Sequence, residues 1–213
     1  MSDALAHVAD TPQLLALAAA LGWASGLRLY AVVFLTGIAG WMGWVDLPQG
    51  LRLLQHPAVL VASGFMVFVE FFADKIPFVD SVWDAVHTLI RIPAGAALAA
   101  GVLGADNQTM AWVGALLGGS LAATSHATKM TARAAVNTSP EPFSNLAVSL
   151  AEDGFVVFLL WLSATHPVAF AIVLVASIVV AVLLLVVLVR FLRTVLRGLG
   201  RFFRGQPLPR ELG

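Results

Sequence analysis

Seven ionisable side chains fall within the stretch EFFADKIPFVDSVWDAVHTLIR: Glu70, Asp74, Lys75, Asp80, Asp84, His87 and Arg91. Read as helix, Asp80, Asp84, His87 and Arg91 stand at i, i+4, i+7 and i+11, one narrow stripe, and Glu70 and Asp74 form a second such pair on the preceding segment. SHATKMTARAAV repeats the pattern with His126, Lys129 and Arg133 at i, i+3 and i+7. Glu152 and Asp153 follow in SLAEDGFVVF, and Arg28 stands alone in a long apolar run.

Residues of these types support several chemistries. Carboxylates and cations can pair with one another, or bind and pass an ion or small charged solute. Asp80, Asp84 and His87 could ligate a divalent metal, with Glu70 or Glu152 completing an oxygen-rich site. Ser125-His126 with Glu152-Asp153 could be drawn as a hydrolase triad. Patterns as short as DxxxDxxH arise easily, however, and the sequence holds no phosphate-binding loop, no GxSxG and no HExxH. No cofactor is predicted, a divalent cation is compatible, and an enzyme is the less favoured reading.

These side chains lie in an unusual host. The chain has 213 residues, 60% hydrophobic and 11% charged. A soluble domain carries about 25% charged residues, so most of this surface is not built for water. Formal net charge is zero, which gives no electrostatic basis for a nucleic-acid partner. Cysteine is absent, which excludes disulfides, thiolate metal sites and thiol catalysis. The N-terminal MSDALAHVADTPQ lacks a basic region before its apolar run and does not read as a cleaved signal peptide.

The elements that must carry the charges are membrane helices. Pro167 to Val189 is an uncharged span long enough for about 30 Å of hydrocarbon. Five further spans are expected at Pro12–Trp44, Pro57–Ala73, Val79–Leu103, Thr109–Val136 and Phe143–Thr165. The first exceeds one upright crossing, so tilt, an interfacial start or a break near Gly26 is expected. AGAALAAG and GALLGGSLAA offer small-residue faces for close helix contact, within the chain or between copies. The fold class is therefore all-α, a polytopic transmembrane bundle of about six spans. Three spans precede GADNQT and three follow it, and VEFFADKIPF resembles SLAEDGFVVF, which allows two inverted three-helix halves with broken or re-entrant helices.

Residues 1–189 form the transmembrane domain in this reading. Residues 190–213 form a basic amphipathic tail, in which Arg190, Arg193, Arg197, Arg201 and Arg204 recur beside Phe, Leu and Val. Such a tail suits the anionic lipids of a cytoplasmic surface. The distribution of Lys and Arg then places both termini in the cytoplasm and the protein in a bacterial inner membrane.

The cost of charge in lipid decides where the stripes face. One charge at the centre of an inserted helix costs about 2.5–3.5 kcal/mol, against about 0.6 returned by each large apolar residue. A span with three lipid-facing charges would barely insert. Arg28, Lys75, Arg91, Lys129 and Arg133 must therefore meet Glu70, Asp74, Asp80, Asp84, Glu152 and Asp153, with His87 and His126 adjusting the balance near neutral pH. Antiparallel packing of the third and fourth spans should bring Asp84 to Lys129 or Arg133. For Asp74, Lys75 and Asp80 helix capping in headgroup water is the plainer reading.

GLRLY, ADKIPFVDSVWDAVHTLIRIPAGA, SHATKMTAR, NTSPEPFSN and EDG together resemble a bacterial membrane family catalogued as domain of unknown function 4126. The likeness runs from about Leu15 to Val157 and leaves out the Arg-rich tail. It implies a multi-span integral membrane protein and supplies no activity. Three readings follow from the residues: a small transporter or channel for an ion or small charged solute, a membrane assembly or scaffold protein whose charges fix packing, and a metal-dependent enzyme acting on lipid or isoprenoid headgroups. A continuous aqueous path favours the first, a dry and fully paired core the second, and a divalent ion beside a headgroup-sized cavity the third.

Overall fold

The structure is a computed structural model and describes residues 2–76, 78–104, 107–138 and 142–203. Among these residues every regular element is helical: α1 (Ser2–Trp41), a 3-10 segment (Gln49–Gln55), α2 (Pro57–Ala73), α3 (Val79–Leu103), α4 (Gln108–Val136), α5 (Pro142–Thr165) and α6 (Pro167–Phe203).

Local chemistry sets these limits. Pro57, Pro142 and Pro167 each open a helix at the position where a missing N–H costs nothing. His56 Nδ1 accepts from the Ala58 N–H at 3.2 Å. Asn107 Oδ1 accepts from the N–H groups of Thr109 and Met110, at 2.8 and 3.3 Å, and so caps α4. α1 is not one regular helix. Arg28, two residues past Gly26, has φ −143° and ψ 74°, and this breaks the helix at the charged residue itself.

α1, α3 and α4 pack most extensively, and glycine makes the approach possible. A Cβ at Gly22 of α1 would stand 2.6 Å from Gly118 Cα of α4, and one at Gly95 of α3 would stand 2.7 Å from Ala122 Cβ. No other residue fits these crossings without moving a backbone. Around them Leu21, Trp23 and Ala24 join Ala99, Val102, Ala122, Val156, Leu159 and Phe170 in the buried apolar core. α6 contributes few buried residues and exposes most of its Val and Leu.

Among the described residues four helices are long and apolar enough to cross a membrane: the stretches 11–41, 79–103, 143–165 and 167–194. A fifth crossing results if the 3-10 segment and α2, bent by 70°, count as one broken span. Length and composition thus support four or five of the six expected spans; α4 spends its length on His126, Lys129, Arg133 and polar neighbours. The DLPQGLRLLQHP connection contains a 3-10 helix, in which Gly50 packs on Gly101 of α3. α6 runs without interruption from Pro167 to Phe203, through Arg190, Arg193 and Arg197. Arg204 and the tail beyond it lie outside the described residues.

Candidate functional site

The two stripes of the sequence do face each other. α3 and α4 run antiparallel in direct contact, and their charged faces meet α1, the end of α2 and the start of α5 in one ion-pair network. Arg91 lies between Glu70 and Asp84, with a 2.6 Å contact to each. Lys129 Nζ touches Asp74 Oδ2 at 2.6 Å, Asp84 Oδ1 at 3.3 Å and Glu152 Oε2 at 3.7 Å. Arg28 reaches Asp74 at 2.6 Å and Asp153 at 2.9 Å, and donates to Ser149 Oγ at 2.8 Å. Arg133 reaches Glu152 at 2.8 Å and also donates to the Asn145 side-chain oxygen. Lys75 closes the chain at Asp153, 3.7 Å away, with its ammonium over the Phe71 ring.

The side chains of Arg28, Glu70, Asp74, Asp84, Arg91, Lys129 and Arg133 are all essentially inaccessible to solvent. Lys75, Glu152 and Asp153 retain 15%, 12% and 31% exposure, so the network reaches the protein surface beside the end of α2. There burial pushes the Lys75 amine down from its ordinary value against the opposing pull of Asp153. Five cations (Arg28, Lys75, Arg91, Lys129, Arg133) balance five carboxylates (Glu70, Asp74, Asp84, Glu152, Asp153), so the formal charge of the network is zero. Its pairing is nonetheless incomplete. Asp74 Oδ1, Asp84 Oδ2, Arg91 Nε and Arg133 Nε are buried without a hydrogen-bond partner.

The break in α1 belongs to the same cluster. Interrupting a helix frees carbonyls that lipid cannot satisfy. α4 supplies the donors: Ser125 Oγ to the Trp23 carbonyl at 2.7 Å, and Lys129 Nζ to the Leu27 carbonyl at 3.0 Å. His126 Nδ1 lies 3.1 Å from the Gly26 carbonyl, and its Nε2 lies 2.8 Å from Thr88 Oγ1. Ser125 therefore does not face His126 as a nucleophile faces a base, and the drawn triad has no such geometry.

Two expected site residues sit apart. Asp80 is buried, as a deep site would require, but its partners are Asn137 Nδ2 at 2.9 Å and the Ser81 N–H at 2.6 Å. His87 Nδ1 lies 2.8 Å from its own helix's Trp83 carbonyl, and the ring stacks on Trp83 and meets Tyr30 edge-on. Asp80, Asp84 and His87 thus have three separate sets of partners. Among the described residues no three carboxylate or imidazole side chains gather as a preformed metal centre. Asp74 is also more than a cap, since it pairs with both Arg28 and Lys129.

Sequence reasoning missed Asn145, Ser149, Thr88 and Asn137. Asn145 and Ser149 had a signal: with Glu152 and Asp153 they stand at i, i+4, i+7 and i+8, a polar stripe on α5.

Two apolar hollows among the described residues lie elsewhere. One of about 370 Å³ is lined by Leu35, Thr36, Trp44, Leu160 and Trp161 between α1 and α5. Another of about 380 Å³ is lined by Tyr30, Val33, Ala62 and Met66 between α1 and α2.

Comparison with known proteins adds the family. The DUF4126 family (domain of unknown function) matches residues 15–187. The chain belongs to the DUF4126 family. The match extends past Val157, where the motif likeness ended, and takes in most of α6. No curated protein and no solved structure matches the chain.

Proposed function

We propose that this DUF4126 protein is a small carrier or channel for an ion or small charged solute, with the ion-pair network as its binding and passage site in a closed arrangement. One observation carries the reading: α1 is broken at Arg28, and the carbonyls around the break enter the same cluster as ten balanced charges. Discontinuous helices with freed backbone and intramembrane charge are a physical device for holding an ion away from water. Unpartnered oxygens on Asp74 and Asp84 support it further, since a core serving only to fix packing gains nothing from buried acceptors left unmatched. Buried ion pairs are also a poor route to stability, because apolar residues of similar volume do as well or better.

The same reading takes α4 as a crossing despite its polarity. An interior helix that turns its charges to neighbours need not be apolar overall. Six crossings, in two inverted halves, place both termini in the cytoplasm of a bacterial inner membrane, with the basic end of α6 against anionic lipid.

Reconstitution into liposomes tests the carrier. Wild-type vesicles should move at least one of sodium, potassium, methylammonium or chloride faster than protein-free vesicles, and Asp74→Asn should lose the flux. Flux equal to empty vesicles for all four removes the reading. A second reading then takes its place, favoured by the closure of the core to solvent: a membrane assembly protein whose charges specify helix packing.

A further inference from the structure

Lys129 Nζ is enclosed by oxygen from four other elements. Asp74 ends α2, Asp84 lies on α3, Glu152 lies on α5, and the Leu27 carbonyl lies at the break of α1. The contacts are 2.6, 3.3, 3.7 and 3.0 Å, and the nitrogen is buried. We propose that this oxygen cage is a binding site for a small monovalent cation, a bare alkali ion or an ammonium-type ion, and that the lysine ammonium is its built-in occupant in the closed arrangement.

Three features of the cage point to a cation guest. First, a cation already fills the cage, tethered by four methylenes. It donates to the Leu27 carbonyl and Asp74 and lies within ion-pair distance of Asp84 and Glu152, a set that serves a free monovalent ion equally well. Second, Asp74 Oδ1 and Asp84 Oδ2 lack hydrogen-bond partners, although both carboxylates are buried and both touch Lys129 through their other oxygen. Two buried carboxylate oxygens on residues that bound the cage are therefore left without a donor while the ammonium, with its three protons, is in place. Third, each cage carboxylate has its own guanidinium: Arg28 on Asp74, Arg91 on Asp84 and Arg133 on Glu152. With those pairs and the Glu70 and Asp153–Lys75 contacts retained, withdrawal of Lys129 leaves four cations against five carboxylates, a deficit of one. One monovalent ion restores neutrality, whereas a divalent ion would leave an excess charge in a medium that penalises it.

This deepens the carrier reading and rests on it for its place in transport, by naming the class of solute. It also makes Lys129 a competitor for the site rather than a ligand of the solute. The thermal midpoint of the purified full chain in detergent, followed by tryptophan fluorescence, tests it. Wild type, Lys129→Ala and Lys129→Ala/Asp84→Asn would each be melted in sodium, potassium, methylammonium and choline chloride at equal ionic strength. Lys129→Ala should melt well below wild type in choline and recover saturably, by several degrees, in sodium, potassium or methylammonium. Recovery in the metal salts alone identifies an alkali ion, and recovery in methylammonium alone an ammonium-type ion. The double variant, whose charges already balance, should show no such dependence. Equal melting of Lys129→Ala in all four salts would overturn the proposal. So would the same salt dependence in the double variant, or no folded Lys129→Ala from any of the salts. Salt-dependent melting without vesicle flux keeps the site and removes the carrier, and flux without salt-dependent melting does the reverse.

Discussion

Arg91 shows what a single residue does in this network. Its guanidinium bridges Glu70 and Asp84, both inaccessible to solvent, and among the described residues no other cation lies within ion-pair distance of Glu70. Removing the positive charge strands Glu70. Arg91→Gln should therefore lower unfolding stability by about 3–5 kcal/mol. The pair Arg91→Gln/Glu70→Gln should recover a large part of that, which a double-mutant cycle on thermal or denaturant unfolding would measure. A strictly additive double variant would mean that the two side chains do not share their energy. That these residues cluster was legible in the sequence, because lipid forbids the alternative. Which charge meets which was not. Asp84 takes Lys129, whereas Arg133 goes to Glu152, since the order of partners depends on helix rotation and on which end of α5 enters the cluster. His87 follows the same lesson: its place on the α3 stripe suggested the core, yet the ring is held by Trp83 and Tyr30.

At the scale of elements, the helix limits were largely readable from proline, glycine and asparagine, because those residues act through local backbone chemistry. The α2 and α3 limits fall where Pro57–Ala73 and Val79–Leu103 place them. The break in α1 was anticipated near Gly26 and falls at Arg28, because Gly26 is fixed by the crossing with α4 while Arg28 must turn toward Asp74 and Asp153. The small-residue faces prove to be internal packing surfaces at Gly22, Gly95 and Gly118. A Cβ at Gly118 would stand 2.5 Å from Ala99 Cβ and closer still to the Gly95 carbonyl. Gly118→Ala should thus destabilise by about 1–3 kcal/mol through overpacking. Gly154 provides the contrast, since a Cβ there meets nothing within 4 Å. Gly154→Ala should be neutral or stabilise by up to about 1 kcal/mol, the helix-propensity difference. Thermal unfolding of the two variants side by side checks the pair, and equal midpoints would show that the tight α3–α4 crossing is not limiting.

For the whole molecule the number of bilayer crossings turns on α2, which counts as a span only together with the 3-10 segment, and on α4. Composition alone excludes α4, because its polar stripe lowers its hydropathy. Length and packing argue the other way. At about 1.5 Å per residue, 29 residues reach about 43 Å, more than the hydrocarbon thickness. Its charged face is also enclosed by α1, α2, α3 and α5, so His126, Lys129 and Arg133 are held away from lipid. If α4 crosses, the connections at Asn107 and Thr138 lie on opposite sides of the membrane. If it does not, they lie on the same side. The chain has no cysteine, so single cysteines can be placed without background. Thr138→Cys should react with a membrane-impermeant maleimide only from the cytoplasmic side. Trp44→Cys, Asn107→Cys and His166→Cys should react only from the opposite side. Labelling of Asn107→Cys and Thr138→Cys from one common side would remove α4 as a crossing. It would also leave α3 and α4 without the antiparallel transmembrane frame through which the carrier reading connects the two faces of the membrane.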